Sequence, residues 1–203
     1  MKFVKTLDRL KAIETNHLTN TKQVIEKTTI ANSMVDEGEL LALVRSLIYS
    51  KPVKDELIIE LGTYSGRTAA VLSMALLELK LNNQLVCVDN FSSKGSSEKK
   101  WEKNTKEFAN NSLVIDTTKN FLTNSKKNSA AMIFVDAEHD YKNAYHDIKK
   151  SMSIVRKNGV IFVDDYGHAY PGVIKAVDAL LMKNLDYKAL IISNLYVAFE
   201  RIV

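Results

Sequence analysis

From Leu57 to its end the chain alternates short apolar runs with longer stretches of helical periodicity. The runs are Leu57–Leu61, Leu85–Val88, Leu113–Ile115, Ala131–Val135, Val160–Val163, Leu190–Ile192 and Tyr196–Phe199. Helical patterns near 67–80, 97–110, 118–126, 141–156 and 172–184 separate all but the last two runs. Strands joined through helices pair in parallel, and a parallel sheet is covered on both faces, which is why its strands read as continuous apolar runs. Only Ser193, Asn194 and Leu195 lie between the last two runs, too few for a crossover helix, so that pair is expected as an antiparallel hairpin. The predicted fold is α/β: a Rossmann-like, doubly wound sheet of seven strands, mostly parallel, with a C-terminal antiparallel hairpin.

A different pattern precedes the sheet. Phe3, Val4, Leu7, Leu10 and Ile13 recur at helical spacing, as do Leu40, Leu41, Leu43, Val44 and Leu47, and Pro52 stops the second series. Residues 1–50 therefore read as a helical extension, serving as a lid over a ligand or as a homodimer contact, with residues 51–203 as the ligand-binding domain. Cys87 is the sole cysteine and sits in an apolar run, which excludes an internal disulfide and a cysteine-based zinc site. Charges interrupt the first fourteen residues, and no uncharged run approaches the roughly 20 residues of a membrane span. A soluble, cytoplasmic protein is expected. The net charge of +4, from 28 basic and 24 acidic residues spread along the chain, is too mild to indicate a nucleic-acid partner.

The first strand runs straight into Gly62-Thr63-Tyr64-Ser65-Gly66, and a helix starts at Arg67. Open α/β sheets bind ligands beyond the carboxyl ends of their strands, and glycines there let backbone approach a ligand closely. The second strand ends at Asp89, followed by Asn90, where a carboxylate can accept hydrogen bonds from both hydroxyls of a ribose. A dinucleotide site would show G-x-G-x-x-G, which brings a helix N-terminus onto a pyrophosphate. This chain has E-x-G-x-x-x-G instead, from Glu60 through Gly62 to Gly66. S-adenosyl-L-methionine (SAM) has no phosphate to cradle, and it carries an ammonium that loop carbonyls and Glu60 would attract.

In these residues the chain resembles the class I SAM-dependent methyltransferases, and within them the small-molecule O-methyltransferases whose first motif reads E-[IL]-G-[TV]-x-x-G-[RY]-[ST]. Glu60, Gly62, Thr63, Gly66, Arg67 and Thr68 match that motif, and Val88-Asp89 matches the second. The resemblance runs from about Val35 to Tyr170. It implies SAM as cofactor, a small-molecule methyl acceptor, and cofactor contacts from Glu60, Gly62, Thr63, Tyr64, Ser65, Gly66, Thr68, Asp89, Asn90 and Asp136. It also sets Asp116 and Thr117, after the third strand, against the adenine.

Two more strand ends carry acids. The fourth strand ends in Asp136-Ala137-Glu138-His139-Asp140-Tyr141 and the fifth in Asp164-Asp165-Tyr166-Gly167-His168. Parallel strands bring both to one edge, and crowded carboxylates need cations, protons or solvent. In one reading Asp136, Asp164 and Asp165 bind a divalent cation, magnesium by their hard oxygens, which would lower the pKa of an acceptor hydroxyl. That set is similar to the magnesium site of catechol-type and sugar O-methyltransferases. In the other reading His139, with Asp136 beside it, is the catalytic base. The string D-A-E-H-D-Y resembles the D-G-[DN]-H-x-Y signature of another methyltransferase branch, with Ala137 in place of glycine. The two readings are compatible, and Asp140 as a helix cap and Asp164-Asp165 as a solvated turn are the structural alternatives to both. His168 is a candidate substrate contact; His17 and His146 belong to no constellation.

No N-P-P-[YF]-like motif follows the fourth strand, which argues against a nucleic-acid amino-methylating enzyme. The lysines around Trp101 are interrupted by glutamates and read as a helix start, with Trp101 packed or lining a substrate mouth. The function expected is SAM-dependent O-methylation of a small hydroxylated acceptor, sugar or phenol, with metal or histidine assistance. A non-catalytic SAM-binding module and a hydroxylase-like enzyme on the same scaffold are the alternatives.

Overall fold

Each of the seven apolar runs seeds a strand. The computed structural model describes residues 6–29, 35–167 and 169–203. In chain order the strands are β1 (Leu7–Asp8), β2 (Leu57–Leu61), β3 (Leu85–Asp89), β4 (Asn111–Ile115), β5 (Ala130–Val135), β6 (Val155–Val163), β7 (Tyr187–Ile192) and β8 (Val197–Arg201). The helices are α1 (Thr19–Thr29), α2 (Glu37–Ser50), α3 (Arg67–Glu78), α4 (Glu98–Thr105), α5 (Thr118–Asn124), α6 (Tyr141–Ile154) and α7 (Pro171–Leu180).

All eight strands form one sheet in the order β1-β7-β8-β6-β5-β2-β3-β4. Strands β2 to β6 are mutually parallel, β8 runs antiparallel to β6, and β7 pairs antiparallel with β8, which is the expected hairpin. From β2 the chain builds outward to β3 and β4, then returns to lay β5 against the other side of β2. Strand order reverses between β2 and β5, so a crevice opens there beyond the strands' carboxyl ends.

Side chains along these strands alternate between two apolar layers. Ile58, Phe134 and Phe162 face one layer with Leu43, Leu47 and Leu72; Ile59, Ile133 and Ile161 face the other with Ile148 and Val173. Register sets Ile59 beside Ile133 and Ile133 beside Ile161, and Phe134 meets Phe162 edge-on at 5.6 Å. Strand β5 is buried along its whole length, as a central strand with helices on both faces must be. Strand β4, at the sheet edge, is half-exposed and opens on Asn111 and Ser112.

Two expectations are corrected. Among the described residues the sheet has eight strands, and residues 7–13 are not helical. Leu7 and Asp8 pair antiparallel with Ile192 and Ile191, which occupies the otherwise open edge of β7. Phe3 and Val4, the start of that series, lie outside the described residues. The first helix among the described residues is α1, whose start is held by Glu78 of α3 through Asn20 N (2.9 Å), Thr21 N (2.8 Å) and Thr21 Oγ1 (2.6 Å). Helix α2 begins at Asp36, whose carboxylate accepts from Glu39 N, and ends as Lys51 turns left-handed before Pro52. Leu18, Ile25, Leu40, Leu43 and Leu47 of this region are buried in the first apolar layer. Among the described residues no helix is long and apolar enough to cross a membrane.

Candidate active site

The loop after β2 is shaped by two left-handed glycines. Gly62 has φ +84°, and a Cβ on it would lie 1.8 Å from the Asp136 carbonyl oxygen, so the loops after β2 and β5 touch backbone to backbone. Gly66 has φ +78°, and a Cβ there would press on Trp101 and Thr105. Both positions require glycine. Between them Tyr64 is also left-handed, at φ +50°. Its N–H donates to Asp89 Oδ2 at 2.8 Å, and Phe91 N–H donates to Asp89 Oδ1 at 2.6 Å. Asp89 thus ties the ends of β2 and β3 together, and a carboxylate oxygen with one partner keeps a lone pair for a ribose hydroxyl.

Glu60 acts from beneath the loop. It is 0% exposed, its Oε2 accepts from Thr63 Oγ1 at 2.7 Å, and Thr63 Oγ1 in turn accepts from Trp101 Nε1 at 3.0 Å. Burial pushes its carboxyl up to about 7. Glu60 thus holds the loop through Oε2, while its Oε1 has no hydrogen-bond partner among the described residues. Trp101, given two roles by the sequence, is buried and takes the packing one. The lysine-rich stretch around it is α4, capped by Ser97.

The remaining cofactor candidates lie on the same rim. Asn104 donates to the Ser65 carbonyl at 2.8 Å, and Thr68 is buried in the first turn of α3. Asn90 Oδ1 accepts from Ser92 N at 3.0 Å, an Asx turn at the end of β3. Asp116 accepts from Thr117 N at 2.7 Å and Asn120 Nδ2 at 3.1 Å, and Thr117 caps α5. The ends of β2, β3 and β4 thus present a loop, a carboxylate and a polar turn in a row.

On the other side of the crevice the ends of β5 and β6 bring Asp136, His139 and Asp165 together. One ligand-type atom from each lies within 4.8 Å of the others. His139 Nε2 is 2.5 Å from Asp165 Oδ2, and the imidazole stacks on Tyr170 with centroids 4.2 Å apart. The Asp165 partner raises the His139 pKa above its ordinary value, against the opposing effect of burial. Burial raises Asp136 well above the usual carboxylate range, and the charges of Asp164 and Asp165 add to that. Asp165 sits at φ +59°, a conformation that costs a non-glycine residue about 1 kcal/mol and that clusters at functional sites.

Asp164 lies outside this set. Its Oδ1 accepts from Asp165 N at 2.7 Å, and its carboxylate is hydrogen-bonded to the carboxyl of Glu39. The expected trio of Asp136, Asp164 and Asp165 is therefore not the one the structure gathers; His139 stands where Asp164 was expected. Asp140 caps α6 through Lys142 N and Asn143 N, the structural alternative given for it above. His146 pairs with Asp147 on α6, His17 is exposed, and His168 lies outside the described residues.

Two members of the site went unread in the sequence. Glu39, 4% exposed in the first turn of α2, reaches Asp164 and has its carboxyl raised strongly, first by burial and then by Asp164 and Asp136. Tyr170, just before Pro171 at the start of α7, stacks its ring on His139. The D-E-G context of Glu39 reads as a helix cap, and nothing in it announces a site 97 positions before Asp136.

Compared with known proteins, the chain matches a family model described as a methyltransferase domain over residues 59–166. That span holds the glycine loop, Asp89, Asp136, His139 and Asp165. No curated protein matches it. Among solved structures, a Klebsiella pneumoniae protein provisionally assigned as an O-methyltransferase superposes with TM-score 0.68 at 13% identity, covering 95% of this chain and 93% of its own. A SAM-dependent O-methyltransferase from Thermotoga maritima gives 0.61 at 11%, covering 89% and 71%. An rRNA methylase from Streptococcus thermophilus gives 0.60 at 12%, covering 84% and 99%. At these identities the likeness is one of fold, and proteins with different acceptors share it.

Proposed function

The chain belongs to the methyltransferase-domain family, and from that premise we propose that it moves a methyl group from SAM to the hydroxyl of a small acceptor, a sugar or a phenol. The carrying observation is the Asp136–His139–Asp165 cluster, set across the β2–β5 crevice from the glycine loop, with Gly62 against the Asp136 backbone. When bound, SAM supplies an electrophilic methyl on a sulfonium. What the protein must add is alignment and a deprotonated oxygen.

The residues divide that work. Gly62, Thr63, Tyr64, Ser65, Gly66 and Thr68 form the cradle, Asp89 and Asn90 the ribose end, and Asp116 and Thr117 the adenine end. Asp136 borders both the cofactor and the acceptor. His139, oriented by Asp165 and by the Tyr170 ring, stands where it can take a hydroxyl proton. The same three side chains would hold a divalent cation, magnesium being the ion expected from the sequence, and a bound cation makes a hydroxyl more acidic. Helix α2, packed in the first apolar layer, brings Glu39 to the acidic end. Support for a hydroxyl acceptor is chemical: the cluster is built to remove or weaken the hold on a proton, which a neutral amine does not require.

A screen with methyl-labelled SAM against sugars, phenols, amines and ribosomal RNA tests the reading. Labelled methyl ether from a sugar or phenol is expected, and His139→Ala should lower its rate at least about 100-fold, as removal of a proton-transfer group does. Transfer only to RNA or amines, or none to any acceptor despite SAM binding, would sink it.

A further inference from the structure

We propose that the Asp136–His139–Asp165 cluster is a transition-ion site, with His139 as its nitrogen ligand, that takes Mn2+, Fe2+, Co2+ or Zn2+ in preference to magnesium. The proposal rests on the preceding reading of the cluster as the acceptor-activating end of the site.

The geometry suits one ion. Two carboxylate oxygens and an imidazole nitrogen lie within 4.8 Å of one another, a spread that a single centre with bonds of about 2.0–2.2 Å can span. His139 Nε2 and Asp165 Oδ2 stand 2.5 Å apart, a contact that a shared ion would widen as it took the place of any proton between them. The imidazole is held in place by the Tyr170 ring, and Asp165 is fixed by its left-handed backbone.

The donor set then selects the ion. Magnesium takes oxygen ligands, whereas an imidazole favours borderline ions such as zinc, cobalt and iron. An all-oxygen trio would need Asp164, and Asp164 is engaged elsewhere: with Asp165 N on one oxygen and with the Glu39 carboxyl. Its charge still reaches Asp136 and His139, but its oxygens are spent on Asp165 N and Glu39.

Glu39 provides a second, independent sign of a ligand. It is 4% exposed, and its Oε1 has no hydrogen-bond partner among the described residues. A buried oxygen left without a donor is costly, and this one lies within electrostatic reach of both Asp136 and Asp164. Magnesium or a softer ion would both bring donor waters to that oxygen; only the softer ion also uses His139.

The test uses the full chain stripped with a chelator and titrated by calorimetry with Mn2+, Co2+, Zn2+ and Mg2+ in turn. At least one of the first three is expected to bind about tenfold or more tightly than magnesium. His139→Ala should erase that advantage, a loss of about 10–100-fold, and change the visible absorption of the Co2+ form. Asp164→Asn should shift affinity for any of the ions less than His139→Ala does. His139→Gln, of similar volume, serves if the alanine variant does not fold. Magnesium binding as tightly as the others, or transition-ion affinity indifferent to His139, overturns the proposal. So does the absence of binding by every ion, which would leave the His139–Asp165 pair as a metal-free base and the proposed function intact. Tight transition-ion binding without methyl transfer to any hydroxyl would sink the proposed function and leave the ion site standing.

Discussion

At the scale of single residues, burial changes what the motif members do. Glu60 is legible in the sequence as part of E-x-G-x-x-x-G, but its complete burial and its support of the loop through Thr63 are not. Its carboxyl rises from the ordinary 4.5 to about 7. Between those values the folded protein holds a proton that the unfolded chain has released. Stability from this group is therefore fully present below pH 4.5, falls as pH rises toward 7 and is flat beyond. The full loss is about 3 kcal/mol. Asp136 and Asp164 are shifted in the same direction, so the comparison that isolates Glu60 is wild type against Glu60→Gln. Urea midpoints at pH 5, 6, 7 and 8 should fall more steeply in the wild type than in the variant. Parallel curves would show that Glu60 is not titrating in that window. The same lesson applies to Asp164 and Asp165, neighbours in sequence whose side chains part, one to Glu39 and the other to His139. An adjacent pair of acids cannot be assigned to one site from spacing, because a left-handed residue such as Asp165 redirects its side chain.

At the scale of elements, the strands were legible and the N-terminal region was not, for a physical reason. Central strands buried on both faces are largely apolar, so β2, β3 and β5 announce themselves. Strand β6 begins five residues before the apolar run that signalled it, because Arg156, Lys157 and Asn158 extend it as a polar start directly off α6. Leu7-Asp8 is too short to carry a pattern of its own; the helical spacing of Leu7, Leu10 and Ile13 was coincidence, and the open edge of β7 decided the outcome. The turn from β2 into α3 is the element whose sequence most directly states its geometry. Gly62 needs φ +84° and has the Asp136 carbonyl 1.8 Å from where a Cβ would stand. Gly62→Ala should therefore cost about 1–3 kcal/mol in backbone strain, with the clash added to it. Because the clash is with backbone of the β5 loop, the damage should reach the far side of the crevice. The expected result is a clear drop in thermal midpoint together with loss of SAM binding by calorimetry. A variant with wild-type midpoint and affinity would mean that the two loops do not meet as described.

At the scale of the whole molecule, the site is a seam. Its cradle hangs from β2, β3 and β4, its histidine and acids from β5 and β6, and α2 supplies Glu39 from above, so the site draws on elements from residue 39 to residue 170. The fold expected from the resemblance to class I SAM-dependent methyltransferases is the one observed. It could be read from sequence because the alternation of strands and helices, the terminal hairpin and the reversal of strand order are properties of the whole chain, whereas Glu39 and Tyr170 depend on tertiary approach. A ligand bound across such a seam stabilises the entire fold, since it binds the assembled edge and not the unfolded chain. At a hundredfold excess over its dissociation constant SAM should add about 2.7 kcal/mol. For a chain of this size that corresponds to a rise of about 5–11 °C in thermal midpoint, and NAD, whose pyrophosphate the loop does not fit, should give none. Asp89→Ala sharpens the test. It removes the acceptor for Tyr64 N and Phe91 N as well as the ribose partner, so SAM affinity should fall by about 1–3 kcal/mol and the midpoint rise should shrink at fixed ligand concentration. A shift produced equally by NAD and SAM, or one untouched by Asp89→Ala, would move the cofactor away from the β2–β3 edge.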